Sequence, residues 1–279
     1  MKTTYSKDGT AIAYDATGSG PPVILVGGAL SWRKFPFTLE LVELLKNDFT
    51  VYNYDRRGRG DSGDTQPYAV AREVEDLAAM IVAAGGRASV FGMSSGAALA
   101  LEGAAAGLPI ERLALYEPPY MVGEGGHRPP KDHREQAQAL VDAGKRSAAV
   151  TFFMVDVVGM PRPLAWVFRL LPFWQKLKAT AHTLPYDLAI MGDFTFPDGR
   201  ARAISMPTAA IAGEKSPPVL QRATKAVADA NPVVKHITLP GQSHNVSMKV
   251  LAPVLIDFLG RAGSREYVQA VAIADGLAV

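Results

Sequence analysis

The chain contains no cysteine. That excludes a disulfide framework, a thiolate metal site and a cysteine nucleophile, and it suits a reducing compartment. Charge of one sign is also lacking. Lys+Arg 29 against Asp+Glu 27 leaves a net charge of +2, so composition predicts neither a nucleic-acid partner nor an anionic membrane. No apolar run approaches the roughly 20 residues that span a bilayer. The most apolar stretch between residues 120 and 200, Phe152 to Met160, is broken by Asp156 and too short to span a bilayer, so no membrane insertion is expected. The opening MKTTYSKDGTAIAYD has no apolar core behind Lys2, which argues against a secretory signal and for a cytoplasmic protein. Five scattered histidines give no metal cluster, and no cofactor is expected. Repeats and low-complexity tracts are absent too.

What is present is globular. The 279 residues are 48% hydrophobic and 20% charged, enough apolar surface for one domain with a sizeable core. The first segments read as a hairpin, Thr3 to Ser6 and Ala11 to Ala16, joined by Lys7-Asp8-Gly9. The run Val23 to Val26, bounded by Pro and Gly, suits a strand buried on both faces. Helical faces then alternate with strands. Phe37, Leu41, Leu44 and Leu45 form one such face, and Val70, Val74, Leu77 and Ile81 another. Phe49 to Tyr54, Ala88 to Phe91 and Leu113 to Tyr116 read as strands, with the small-residue helix Ala97 to Ala106 before the last. This order predicts a mostly parallel sheet covered by helices on both faces. It breaks between Tyr120 and about Arg202 and resumes at Thr208. The expectation is therefore a core of residues 1–119 and 201–279 with an inserted helical cap over 120–200. The tail after Gly260 is weakly patterned.

One pentapeptide stands at a strand-to-helix junction: Gly92-Met93-Ser94-Ser95-Gly96 matches G-x-S-x-G. Such a turn strains the middle serine and lifts its hydroxyl above the sheet, while the glycines let strand and helix approach. The plain alternative is a glycine-rich turn of a nucleotide-binding fold, but neither G-x-G-x-x-G nor a P-loop lysine is present. A serine hydroxyl needs a base, and the base an orienting acid. His244, in a loop past the last strand, is the candidate base. His127 and His133 sit among charged and loop residues and read as solvated. His182 reads as a helix position and His236 as a strand position.

With Ser94, His244 and the segment Asp55-Arg56-Arg57-Gly58-Arg59-Gly60-Asp61-Ser62 in view, the chain resembles the α/β-hydrolase superfamily over nearly its whole length. That segment resembles the family's D-x-R-G-x-G-x-S loop. Read alone, its arginines would also suit a basic binding patch. The resemblance implies an α/β-hydrolase fold and an oxyanion hole after the third strand. There the family's His-Gly is replaced by Gly27-Gly28, followed by Ala29. The implied donors are the N–H groups of Ala29 and Ser95, with Gly28 in the same loop. A second departure concerns the acid. The family's usual aspartate position looks like Ser216, which with Pro217 reads as a helix cap. The acid then comes from elsewhere or is missing; Glu117, after the sixth strand, is the expected acid, a position that resembles some members, lactone-cleaving ones among them. Glu214 is the alternative, and Asp187 or Asp193 stand behind it.

Residues 120–200 hold 10 of the 23 aromatics in 81 of the 279 positions. That enrichment points to an apolar pocket over Ser94, with Phe153, Trp166, Trp174 and Tyr186 as its candidates; packing within the cap is the competing use. The expected function is a serine hydrolase, monomeric or homodimeric, cleaving a carboxylic ester or lactone of a small-to-medium apolar substrate. Carbon–carbon bond hydrolysis, cofactor-free perhydrolysis and a non-catalytic binding protein on a hydrolase body are the alternatives.

Overall fold

The computed structural model describes residues 1–260. The weakly patterned tail, and with it the end of the expected 201–279 core segment, lies outside the described residues. An eight-stranded sheet forms the centre, built from β1 (Lys2–Tyr5), β2 (Ala11–Thr17), β3 (Pro22–Val26), β4 (Thr50–Tyr54), β5 (Ala88–Met93), β6 (Ile110–Tyr116), β7 (Thr208–Gly213) and β8 (Val234–Leu239). Their spatial order is β1-β2-β4-β3-β5-β6-β7-β8. The β1–β2 and β2–β4 pairs are antiparallel, and every other pair is parallel.

Two helical layers cover the sheet because its strands are apolar on both faces. On one side α1 (Pro36–Leu45) and α11 (Met248–Gly260) bury Leu41, Leu45, Leu251 and Leu255 against Val23, Leu25 and Phe91. On the other side lie α2 (Val70–Ala83), α3 (Ser95–Ala105) and α10 (Pro218–Asp229), contributing Leu77, Met80, Leu99 and Val227. Helix α3 is Ala- and Gly-rich for a steric reason: all but two of its residues are buried against neighbouring strands and helices, and larger side chains would hold the layers apart.

Between β6 and β7 the chain leaves the sheet. It forms α4 (His133–Asp142), α5 (Arg146–Phe152), α6 (Arg162–Phe168), α7 (Phe173–Thr180), α8 (Leu184–Met191) and α9 (Asp198–Arg202). A π-helical turn, Phe153–Val157, extends α5. This inserted region has its own apolar cluster, including Phe152, Trp174, Leu177, Leu184 and Leu188, which also takes in Leu30 from the loop after β3. Among the described residues, no helix is long and apolar enough to cross a membrane.

Three local expectations are corrected. Phe37 is half-exposed, because α1 turns Leu41, Val42 and Leu45 inward instead. His133 is buried rather than solvated, its Nδ1 on the Pro130 carbonyl at 2.7 Å and its Nε2 on the Gly192 carbonyl at 2.9 Å. Ser216 does not cap a helix: α10 begins at Pro218, with Pro217 in the cap position and no side-chain cap bond.

Gly96 has a strict steric basis. A Cβ there would lie 2.2 Å from the Val26 carbonyl oxygen, a backbone atom that cannot step aside. Gly96→Ala is expected to cost about 3 kcal/mol or more by overpacking. Gly199→Ala in α9, where nothing lies within 4 Å, is expected to be close to neutral or slightly stabilising. Urea denaturation of the two variants beside the parent measures the contrast.

Candidate active site

Ser94 stands alone between β5 and α3. Its backbone sits at φ 56° and ψ −124°, a region an L-residue occupies only under constraint. The constraint comes from both sides. The Ser94 N–H donates to the Tyr116 carbonyl at 2.9 Å, and its own carbonyl accepts from the N–H groups of Ala97 and Ala98. Gly92 and Gly96 make the bend possible, since a Cβ on Gly92 would lie 2.5 Å from the Gly96 carbonyl oxygen. Two further non-glycine residues beyond strand ends share positive φ: Leu30 at 60° after β3 and Glu117 at 47° after β6.

Glu117 is fully buried. Its N–H donates to Ile211 O, continuing the β6–β7 ladder. Its Oε1 accepts from the Gly213 N–H at 2.7 Å, and its Oε2 meets His244 Nδ1 at 2.7 Å. That fixes the carboxylate, and the carboxylate in turn orients the imidazole, leaving Nε2 for chemistry. The loop carrying His244 is tethered as well. Tyr116 Oη donates to Ser243 O at 2.6 Å, and Lys215 N–H donates to Gln242 O at 2.7 Å. Glu214 takes no part in the imidazole contact. It is exposed, and its Oε2 accepts from the Gly241 N–H at 2.7 Å, bracing the base of the same loop. Asp193 is exposed and holds the Thr195 N–H.

The arginines after β4 are not a binding patch. Arg56, Arg57 and Arg59 are all buried. Arg57 pairs with Asp76 at 2.7 Å, and Arg56 with Glu73 at 2.7 Å. Arg56 and Arg59 then share Asp187 of α8, at 2.7 and 2.6 Å. Asp187 also accepts from the Ser95 hydroxyl at 2.8 Å. Arg59 Nη1 donates to Gly28 O at 2.7 Å, and Arg56 Nη1 donates to Gly27 O at 3.3 Å. One buried cluster thus joins the inserted region, the residue after Ser94 and the loop after β3. Ser95 opens α3, so its N–H has no partner within the helix. Burial alone would push the Asp187 carboxyl up; the Arg59 and Arg56 guanidinia and the Ser95 hydroxyl outweigh it and hold it below the usual carboxylate range. From the sequence Asp187 stands only as a substitute acid, and its own neighbours in the chain do not mark this role. The available signal was the excess of arginines in 55–62, which needs buried carboxylate partners.

Ser94 and His244 open into one cavity of about 290 Å³, whose wall also includes Gly28 and Ala29. Phe153, Met154, Phe168, Phe173 and Leu177 supply its roof from the inserted region, with Phe35 and Met248 below. Of the four aromatics expected in the pocket, Phe153 lines it; the π turn carries it there. The other three do not. Trp166 is 66% exposed on the outer face. Trp174 is buried in the inserted cluster, its indole N–H donating to Ser147 Oγ. Tyr186 stacks on Tyr68 with ring centroids 3.9 Å apart, its hydroxyl donating to Asp64. Among the wall residues missed, Phe35 and Met248 come from distant parts of the chain and carry no local mark.

Strands ending at a serine turn, with the imidazole and carboxylate delivered from later loops, are the architecture of α/β hydrolases. The Alpha/beta hydrolase family model matches residues 10–254, so the chain belongs to that family and is one of its hydrolases. An alpha/beta hydrolase from Sphaerobacter thermophilus DSM 20745 is 51% identical, with a TM-score of 0.88 over 92% of this chain and 99% of that one. An esterase from Rhodococcus sp. ECU1013 shares the fold at 20% identity, with a TM-score of 0.69 over 94% of this chain and 99% of that one. A meta-cleavage product hydrolase from Pseudomonas fluorescens IP01 does so at 16%, with a TM-score of 0.63 over 92% and 97%.

Asp187→Asn is expected to lower stability by about 3–5 kcal/mol, since two buried guanidinia lose their shared countercharge. The pH dependence has a definite sign. A carboxyl whose folded pKa lies below its unfolded value adds stability above the unfolded pKa, and that part is lost as pH falls through the folded one. The gap in unfolding free energy between parent and variant should therefore be full at neutral pH and shrink only below the ordinary aspartate range. Urea titrations across pH measure it.

Proposed function

We propose that this hydrolase cleaves carboxylic esters or lactones of small-to-medium apolar substrates through a covalent acyl-serine. The observation that carries the reading is the His244–Glu117 contact at 2.7 Å, in a cavity His244 shares with Ser94. His244 Nε2 takes the Ser94 proton as the hydroxyl attacks the carbonyl carbon. The N–H groups of Ala29 and Ser95, in the loop and at the helix start held by Arg56, Arg59 and Asp187, stabilise the resulting oxyanion. His244 then gives the proton to the leaving alcohol oxygen, and the acyl group remains on Ser94. Water, deprotonated by His244, attacks the acyl carbon; the bond to Ser94 Oγ breaks, the acid leaves, and His244 returns the proton to Ser94. Glu117 keeps Nδ1 protonated and stabilises the imidazolium in both halves.

The helical region 120–200 acts as a cap that shields the acyl group from bulk water. The cavity wall among the described residues contains no Lys or Arg, which disfavours an anionic acyl group such as a carboxylate-bearing diketone. The buried acid contacting His244 argues against a purely binding role, because Glu117 replaces the aspartate missing at Ser216.

Ser94→Ala is expected to lower kcat on p-nitrophenyl esters by about 10⁴ or more, and a fluorophosphonate should label Ser94 in the parent. Glu117→Gln should lose orders of magnitude while Glu214→Gln stays within a few-fold. Near-parental turnover by Ser94→Ala excludes the mechanism; the reverse order of the two glutamate variants excludes Glu117 as the acid. Phe168→Ala, which enlarges the cavity, should move preference towards longer acyl chains. Trp174→Ala should instead cost about 3–5 kcal/mol of stability, and rates across an ester series plus denaturation separate the two.

A further inference from the structure

The outer face of the inserted region is apolar where a protein surface is normally polar. Of α6, only Ala165 is fully buried, while Leu164, Trp166 and Val167 are 45%, 66% and 57% exposed. The chain continues through Leu170 and Leu171, 84% and 45% exposed. Scattered surface apolar residues need no explanation, but a contiguous group marks an interaction surface.

Its charge is one-sided. From Val157 to Tyr186 there is no Asp or Glu, while Arg162, Arg169, Lys176 and Lys178 lie in that stretch. The Arg169 guanidinium sits over the Trp166 ring, 5.2 Å from its centroid. Just before this stretch, Asp156 lies 3.7 Å from Arg162 with both side chains open to solvent. Such a pair is weak and yields readily.

We propose that this face docks on an anionic lipid surface. Tryptophan and leucine seat at the boundary between headgroups and acyl chains, and flanking arginine and lysine meet the lipid phosphates and carboxylates. The same segment turns Phe168, Phe173 and Leu177 inward to the cavity, so docking sets the cavity roof against the bilayer. A second copy fits less well. Packing two such faces together would set the four cations of one copy against the four of the other, with only Asp156 of each copy's stretch to offset them. The net charge of +2 hides this face because acidic residues elsewhere balance it. The inference stands independently of the reaction assigned above.

The test is flotation of the full chain with phosphatidylcholine vesicles, with and without phosphatidylserine. Binding is expected only to the mixed vesicles and should disappear in high salt. Each cationic charge near such a surface is worth about fivefold in partitioning. Arg169→Gln with Lys176→Gln should therefore reduce binding about 25-fold, and Trp166→Ser with Leu170→Ser should abolish it. Both variants change exposed side chains, so thermal midpoints near the parent's are expected. In the parent, brominated lipid should quench tryptophan emission. No flotation overturns the proposal, as does equal binding to both vesicle types. Self-association that Trp166→Ser with Leu170→Ser disrupts, without vesicle binding, assigns the face to a second copy instead.

Discussion

The carboxylate of Asp187, buried between two guanidinia, is the constraint on which the site's geometry rests. It reaches down from α8 to the Ser95 hydroxyl and to Arg56 and Arg59. Those arginines in turn hold the carbonyls of Gly27 and Gly28. Pulling Asp187 out of this cluster leaves the buried Arg59 guanidinium without its carboxylate in a medium that cannot solvate it. The inserted region is thus fastened to the loop and helix beside Ser94 at the point where geometry matters most. A hydrophobic contact would bury area without dictating direction; these hydrogen bonds dictate both distance and angle.

Backbone strain acts beside this charge cluster. Leu30, Ser94 and Glu117 each hold a positive φ beyond the end of a parallel strand. Parallel strands all end on the same side of the sheet, so the departures converge on one crevice. The surrounding ladder bonds, such as Ser94 N–H to Tyr116 O, over-determine the backbone and keep it there. The hydroxyl, the imidazole and its carboxylate therefore reach one region from points widely separated in the chain.

Much of the fold was legible in the order of residues. Strand and helix periodicities reflect local steric rules, so β3, β5, β7 and the small-residue helix α3 stand out along the chain. The bend at Ser94 is equally local, since its glycines are dictated by neighbours a few residues away. The cavity was less legible. Trp166, Trp174 and Phe153 are all aromatic residues of helical segments, yet one faces solvent, one packs inside the insertion and one lines the cavity. Aromatic character records a preference for burial, not the neighbour against which burial occurs. The arginine-rich loop misled in the same way, because a cluster of charges looks alike whether it faces water or buried carboxylates.

By itself, the sequence determined the layered α/β architecture, the strained serine turn and the candidate residues for its base and acid, because short-range sterics and hydrophobic period govern them. The tertiary structure alone decided that Glu117 rather than Glu214 meets His244, that Asp187 is a structural countercharge, and which aromatics line the cavity. Those outcomes depend on contacts between residues some 90 to 130 positions apart. Only the packed sheet and its insertion bring such groups within the few ångströms over which hydrogen bonds and dispersion act.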